Sequence, residues 1–196
     1  RRQRQMCIRD RCLLIEDGSR LILIDTGMGT KQSDKFFNYY YRWGNLSMDK
    51  ALSSAGFCRE DITDVFLTHL HFDHCGGCVN WNSDRSGCEL AFKNANVWSN
   101  KDHWDWATSP NKREKASFLN ENILPIQESG NLRFIQPSGV DILKNSELGF
   151  DVFFANGHTE KQMIPMISYR GKTICFMADL LPTAGHVPIP FVMGYD

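Results

Sequence analysis

Apolar and polar positions change their period several times along the chain, and each change marks an element. Residues 12–16 and 20–24 are two apolar runs split by Asp17-Gly18-Ser19, the pattern of a β-hairpin. From 31 to 45 the chain turns aromatic without a clear period (Phe36, Phe37, Tyr39, Tyr40, Tyr41, Trp43), which suits core packing or the lining of a pocket. Met48, Leu52 and Ala55 then fall at helical spacing. With Ser47 placed to cap the start and Gly56 just past the end, they predict a helix that covers a sheet. A short apolar run at 65–67 reads as a buried strand.

Further on, 81–87 is a polar loop and 88–92 and 96–98 read as strands. A helix is expected from Ser99, carrying His103, Trp104, Trp106 and Ala107, with His103 at the surface or in packing. The charged stretch 111–119 predicts a solvated helix, and Pro125, Gly130 and Pro137 punctuate the residues after it. Strands are predicted at 149–155, 163–169 and 173–177, with a turn at Arg170-Gly171 between the last two. No repeat and no linker divides the chain. Residues 1–10 show neither period and are expected to be a disordered tail, or sequence foreign to a domain that begins at Arg11.

The run at 65–67 is followed by Thr68-His69-Leu70-His71-Phe72-Asp73-His74-Cys75-Gly76-Gly77. Imidazole and carboxylate are the ligand set of zinc and similar divalent metals. Side chains alternate along a strand, so His69 and His71 are expected to project together, with Asp73 and His74 facing another point after the turn. Gly76 and Gly77 are expected to let the backbone turn without a Cβ clash. One metal held by the histidine pair and a second by Asp73 and His74 is the geometric reading. Any single one of these histidines reads as easily as a packing residue; four ligand types in one turn after a buried strand do not. Asp25, in Asp25-Thr26-Gly27, ends the second hairpin strand, where a turn aspartate bonds its local backbone. Cys75 and Cys78 have the spacing of a redox pair, but the glycines between them belong to the metal loop. Both are therefore expected to be small buried side chains.

Composition narrows the class without adding chemistry. A chain of 196 residues and 22.5 kDa, 42% hydrophobic and 23% charged, suits one globular domain with a sizeable core. A formal net charge of −1 gives no electrostatic case for nucleic acid or an anionic membrane as partner, and no apolar run has transmembrane length. Arg1, Arg2 and Arg4 are not followed by the apolar core of a signal peptide. Seven cysteines, an odd number without framework spacing, point to a reducing compartment and hence a cytoplasmic location. The expected partner is a small-molecule substrate; the oligomeric state stays open.

His69-x-His71-x-Asp73-His74 followed by Gly-Gly resembles the signature of the metallo-β-lactamase superfamily. The resemblance extends to Leu23-Ile24-Asp25-Thr26-Gly27 upstream and to Gly157-His158-Thr159 and Ala178-Asp179 downstream. It implies a mixed α/β (α+β) four-layer αββα sandwich over 11–196, expected to be incomplete at both ends. It implies two divalent metal ions, zinc foremost: His69, His71 and His158 on one, Asp73 and His74 on the other, Asp179 bridging. Asp25 would sit behind the ligands and orient a histidine. The catalytic residues implied are Asp179 and Asp73, the latter passing a proton to the leaving group. The reaction implied is attack by a metal-bridging hydroxide on an ester, lactone or phosphotriester. Thioester hydrolysis of the glyoxalase II type and a metal-binding scaffold without turnover are the alternatives. A histidine before Asp73, rather than a glutamate-containing variant, argues against the oxygen-reducing flavodiiron branch. The texture is closest to quorum-quenching lactonases and methyl parathion hydrolase, yet Leu180, Leu181 and Pro182 stand where those lactonases place a tyrosine. The family's last histidine ligand has no counterpart at the usual distance. His186 comes too soon after Asp179, so that ligand is expected beyond Asp196.

Overall fold

A computed structural model describes residues 11–40, 44, 47–136, 139 and 141–188. The tail expected at 1–10, Tyr41 and Trp43 of the aromatic stretch, and Pro137 lie outside the described residues. The chain opens with β1 (Leu13–Asp17) and β2 (Arg20–Ile24), the expected hairpin, closing on the pair Asp17 and Arg20. Two short helices follow, α1 (Asp34–Phe37) and α2 (Met48–Ser54), the second capped by the Ser47 hydroxyl accepting from Lys50 N–H. Next come β3 (Asp64–Phe66), the single turn α3 (Phe72–Cys75), and a small hairpin of β4 (Val79–Trp81) and β5 (Cys88–Leu90). β6 (Asn96–Ser99), α4 (Lys101–Thr108), α5 (Asn120–Glu128) and β7 (Leu132–Phe134) complete the first half. The second half is a meander of β8 (Ile142–Leu143), β9 (Asp151–Ala155), β10 (Gln162–Tyr169) and β11 (Lys172–Cys175).

These strands make a five-stranded sheet ordered β1-β2-β3-β6-β7 and a four-stranded antiparallel sheet ordered β11-β10-β9-β8. In the first, β2, β3, β6 and β7 run parallel. Alternation decides which side chain goes where. Leu21, Leu23, Val65 and Val97 point to one face and meet Leu52 of α2, Trp104 and Ala107 of α4, and Ile123 and Ile126 of α5. Ile22, Ile24 and Phe66 point to the other face and meet Val152, Phe154 and Met163 of the second sheet. The result is a helical layer, a mixed sheet and an antiparallel sheet stacked in order. Toward the β10–β11 turn Ile174 and Tyr169, on the same face as Met163, are exposed.

One expected element moves. Residues 112–117 form turns, and the helix begins only at Asn120. The Asn111 carboxamide oxygen accepts from the backbone N–H of Arg113 and Glu114 (2.8 and 3.0 Å), which favours a turn over a continuing helix. The chain then crosses to Ser117, whose carbonyl accepts from Phe72 N–H at 2.9 Å. The next helix, α5, contains Pro125. A proline there forfeits one helical hydrogen bond, a cost of about 3 kcal/mol. Burial of Ile123 and Ile126 on the core face offsets it, each worth roughly 1.5–3 kcal/mol.

Candidate metal centre

The metal motif begins where β3 stops. β3 ends at Phe66, so His69 and His71 project from the loop beyond it and not from the strand itself. That loop is held from several sides: Leu67 N–H donates to Trp98 O (3.1 Å), Thr68 N–H to the Asp25 carboxylate (2.8 Å), and Met163 N–H to Thr68 O (2.8 Å). The last bond ties the first sheet to β10 of the second. His71 keeps an extended backbone as the N-cap of α3, whose turn carries Asp73 and His74. His158 follows the end of β9, and Asp179 follows β11.

Gly76 and Gly77 are needed for a reason other than the turn. Gly76 has an ordinary right-handed backbone (φ −59°) as the C-cap of α3. A Cβ on Gly76 would strike Met28 O, and one on Gly77 would strike Thr26 O, both far inside contact distance. The loop after β2 therefore presses directly on the loop after β3. Gly77 N–H donates to Gly27 O (2.8 Å), Thr26 N–H to His74 O (2.8 Å), and the buried Lys31 ammonium to Gly76 O (2.6 Å).

Asp25 governs two of the imidazoles. Its carboxylate accepts from the Thr68 hydroxyl (2.8 Å) and from His74 Nδ1 (2.8 Å). With the Thr68 hydrogen committed to Asp25, His69 Nδ1, 3.0 Å from Thr68 Oγ1, is the donor of that pair. Both rings then turn Nε2 inward, that of His69 without a proton of its own. Asp25 thus orients histidines rather than merely bonding its local turn, in a left-handed backbone (φ 57°). Ala178, just before Asp179, is left-handed as well (φ 44°). Non-glycine residues hold that conformation only where the surroundings enforce it.

The inward atoms converge. His71 Nδ1 lies 3.0 Å from His158 Nε2. Asp179 sends one oxygen to 3.2 Å from His74 Nε2 and the other to 3.4 Å from His158 Nε2. The ligand atoms of His69, His71 and His158 all lie within 4.8 Å of one another, and so do those of His69, His74 and Asp179. Asp73 is in neither group; its carboxylate is 4.0 Å from His74 Nε2, on the more open side. His186 is in neither group and is bound to Thr183 Oγ1 at 2.8 Å. Nε2 of His69, His71 and His74 is buried in each case without a hydrogen-bond partner, that of His71 facing away from the cluster toward Glu114 and that of His74 facing Asp179. Imidazole nitrogens held this close, His71 Nδ1 and His158 Nε2 at 3.0 Å with a ligand atom of His69 within 4.8 Å, are costly unless something electrophilic satisfies them, and a divalent cation does so.

Protonation is set by the surroundings. Burial pushes His69 well below its usual value, and the neighbouring imidazoles add to this. Burial also lowers His71, with Glu114 partly opposing it. At His74 burial works the same way, but Asp25 and Asp179 outweigh it and hold the ring well above the usual range. Burial likewise opposes charge on Asp179, yet the His74 imidazolium beside it keeps its carboxyl low. His69 and His71 are therefore neutral and ready to ligate, whereas His74 holds a proton that a metal would displace. Cys75 and Cys78 are fully buried, as expected; burial pushes the Cys78 thiol up to about 12 and Cys75 higher still, so neither is a reactive thiolate.

Two residues near the site carried no sequence signal. His103 is buried, not superficial: its Nε2 accepts from Leu70 N–H (2.9 Å) and its Nδ1–H donates to Glu160 O (2.5 Å). It clips the loop of His69 and His71 to the loop of His158. Glu114, expected on a solvated helix, is 4% exposed and lies beside His71. Burial works against its charge, but the His71 imidazole and hydrogen bonds from Arg113, Thr159 and Trp106 hold its carboxyl well below the usual range.

A sheet pair with ligand-bearing loops at one edge defines a known class. The family model of the metallo-β-lactamase superfamily matches residues 11–195, and the chain belongs to that superfamily. Among solved structures, a probable metal-dependent hydrolase from Staphylococcus aureus is similar over 94% of this chain and 63% of its own, at 25% identity and a TM-score of 0.78. AidC, described as a dizinc quorum-quenching lactonase in complex with a product, is similar over 84% of this chain and 54% of its own, at 26% identity and a TM-score of 0.62. The chain thus spans between about half and two thirds of the length of these structures. None of the curated proteins compared matches the chain significantly. Among the described residues no helix is long and apolar enough to cross a membrane.

Proposed function

We propose that the protein is a hydrolase that holds two divalent metal ions, zinc foremost, and cleaves an ester, lactone or phosphotriester of a small molecule. The observation that carries this reading is the gathering of His69, His71 and His158 in one buried group and of His69, His74 and Asp179 in another, with His74 and His158 facing the two oxygens of Asp179. His69, His71 and His158 would hold one ion and His74 with Asp73 the other, with Asp179 common to both. When bound, such ions supply an acidified water and polarise the substrate oxygen.

The chain's own residues do the rest. Asp25 and Thr68 fix the tautomers of His74 and His69, so both rings offer Nε2 without rearrangement. Asp73, the most accessible of the acidic candidates, would take a proton and hand it to the leaving group. Phe36, Tyr40 and Phe72 form a ring cluster with centroids 5.1 Å apart beside Asp73. That cluster supports an apolar acyl or aryl substituent in the substrate. Burial and the nearby Asp73 push the Tyr40 phenol up, so it stays a hydrogen-bond donor at neutral pH.

The whole protein with His71→Ala should lose hydrolysis of a panel holding a lactone, an aryl ester, a phosphotriester and a glutathione thioester, by at least a hundredfold for whichever is cleaved. Undiminished turnover in that variant would refute the assignment. Preference for the glutathione thioester would move it to the glyoxalase II type.

A further inference from the structure

Asp25 secures the outer nitrogens of His74 and, through Thr68, of His69. What secures the outer nitrogen of His71 is a separate matter. Its Nδ1 points into the cluster, 3.0 Å from His158 Nε2. The two nitrogens of an imidazole face different sides of the ring, so Nε2 points outward. There it is buried and without a hydrogen-bond partner, and the carboxylate of Glu114 lies 3.7 Å away.

Glu114 is not at this spot by accident of a surface loop. The turns over 112–117 swing it inward, and four donors hold its carboxylate: Thr159 Oγ1–H at 2.6 Å, Arg113 Nη2 at 2.8 Å, Trp106 Nε1–H at 3.0 Å and Asn111 Nδ2 at 3.4 Å. A carboxylate that is 4% exposed and so fully gripped cannot swing away to solvent. Thr159 directly follows His158, so one carboxylate lies against His71 and bonds the neighbour of His158, two candidate ligands 87 residues apart in the chain. Phe118, at the end of the same strap, packs against the His71 ring at a tilt of 54°, the centroids 4.7 Å apart.

We propose that Glu114 is a positioning residue of the metal centre, accepting the Nε2–H of His71 so that Nδ1 faces inward bare, and locking that ring to the His158 loop through Thr159. The role rests on the metal reading above. It gives His71 the carboxylate partner that ligating histidines need to fix ring orientation and basicity. No atom of Glu114 enters the cluster itself.

The test compares the native chain with Glu114→Ala and Glu114→Gln. Zinc affinity is read by competition with a chromophoric chelator, and unfolding is followed in excess chelator. Glu114→Ala should bind zinc roughly 10–100-fold more weakly. Glu114→Gln, which still offers a carbonyl oxygen to the ring, should lose less. In zinc-loaded native protein carrying 15N-histidine, NMR should find His71 protonated on Nε2, and this measurement stands even if Glu114→Ala does not fold. Native protein that binds zinc while Glu114→Ala binds it equally well, or a His71 protonated on Nδ1, overturns the role of Glu114. Native protein that binds no zinc overturns the metal reading beneath it.

Discussion

His103 shows how much a single buried side chain can carry without touching the reacting atoms. It bonds backbone groups of Leu70 and Glu160 with its two nitrogens, and burial pulls its pKa from 6.5 to about 4. The folded state keeps the ring neutral, whereas the unfolded chain takes up a proton below 6.5. Stability contributed by this group is therefore complete above 6.5 and is lost as pH falls toward 4. Between pH 7 and pH 5 the loss amounts to about 2 kcal/mol. His103→Gln should flatten the pH dependence of urea unfolding of the chelator-treated protein over that range by about this amount. An unchanged slope would show that His103 takes up its proton alike in the folded and the unfolded chain. Nothing local announces this role: the sequence around His103 reads as an amphipathic helix, and the partners lie 33 and 57 residues away. Asp25 is the opposite case, since its place in Asp25-Thr26-Gly27 marked it, and only its partner had to be found.

At the scale of elements, periodicity located most strands and failed where tertiary contact overrides propensity. The apolar run at 20–24 was legible as a strand, and in the fold its alternation sends Leu21 and Leu23 to one core and Ile22 and Ile24 to the other, because a strand has no choice about which side chains share a face. The helix expected at 111–119 was not formed, because Asn111 captures two backbone N–H groups and the strap must reach Phe72. Conversely α5 forms around Pro125, against its local signal, because two isoleucines there fill the core. The glycine pair illustrates a subtler limit. Its presence in the motif was plain, but its cause is the approach of the loop after β2. Gly77→Ala should therefore cost about 3 kcal/mol, as overpacking does, and weaken zinc binding, because the added methyl pushes Thr26 away from His74. Chemical denaturation with and without zinc measures both effects. Full stability in that variant would mean the two loops are not in contact.

For the whole molecule, the candidate ligands come from both sheets: His69, His71 and His74 follow β3, His158 follows β9 and Asp179 follows β11. A bound metal would therefore staple one sheet to the other at their shared edge. Zinc at 100 times its dissociation constant should raise unfolding stability by about 2.7 kcal/mol, and chelation should remove that gain. Amide exchange should slow most at 156–161 and around Asp179 when zinc is added; protection confined to the loop after β3 would mean that the second sheet supplies no ligand. The sequence alone determined most of the strands and the clustered ligand types, because those depend on neighbours a few residues apart. Only the tertiary structure decided which nitrogen of each histidine faces inward, that Asp25 meets His74 and, through Thr68, His69, and that Glu114 and His103 come to lie against the loops of the candidate ligands. These are pairings between segments dozens of residues apart, and they exist only once two sheets have packed and brought the loop ends to one edge.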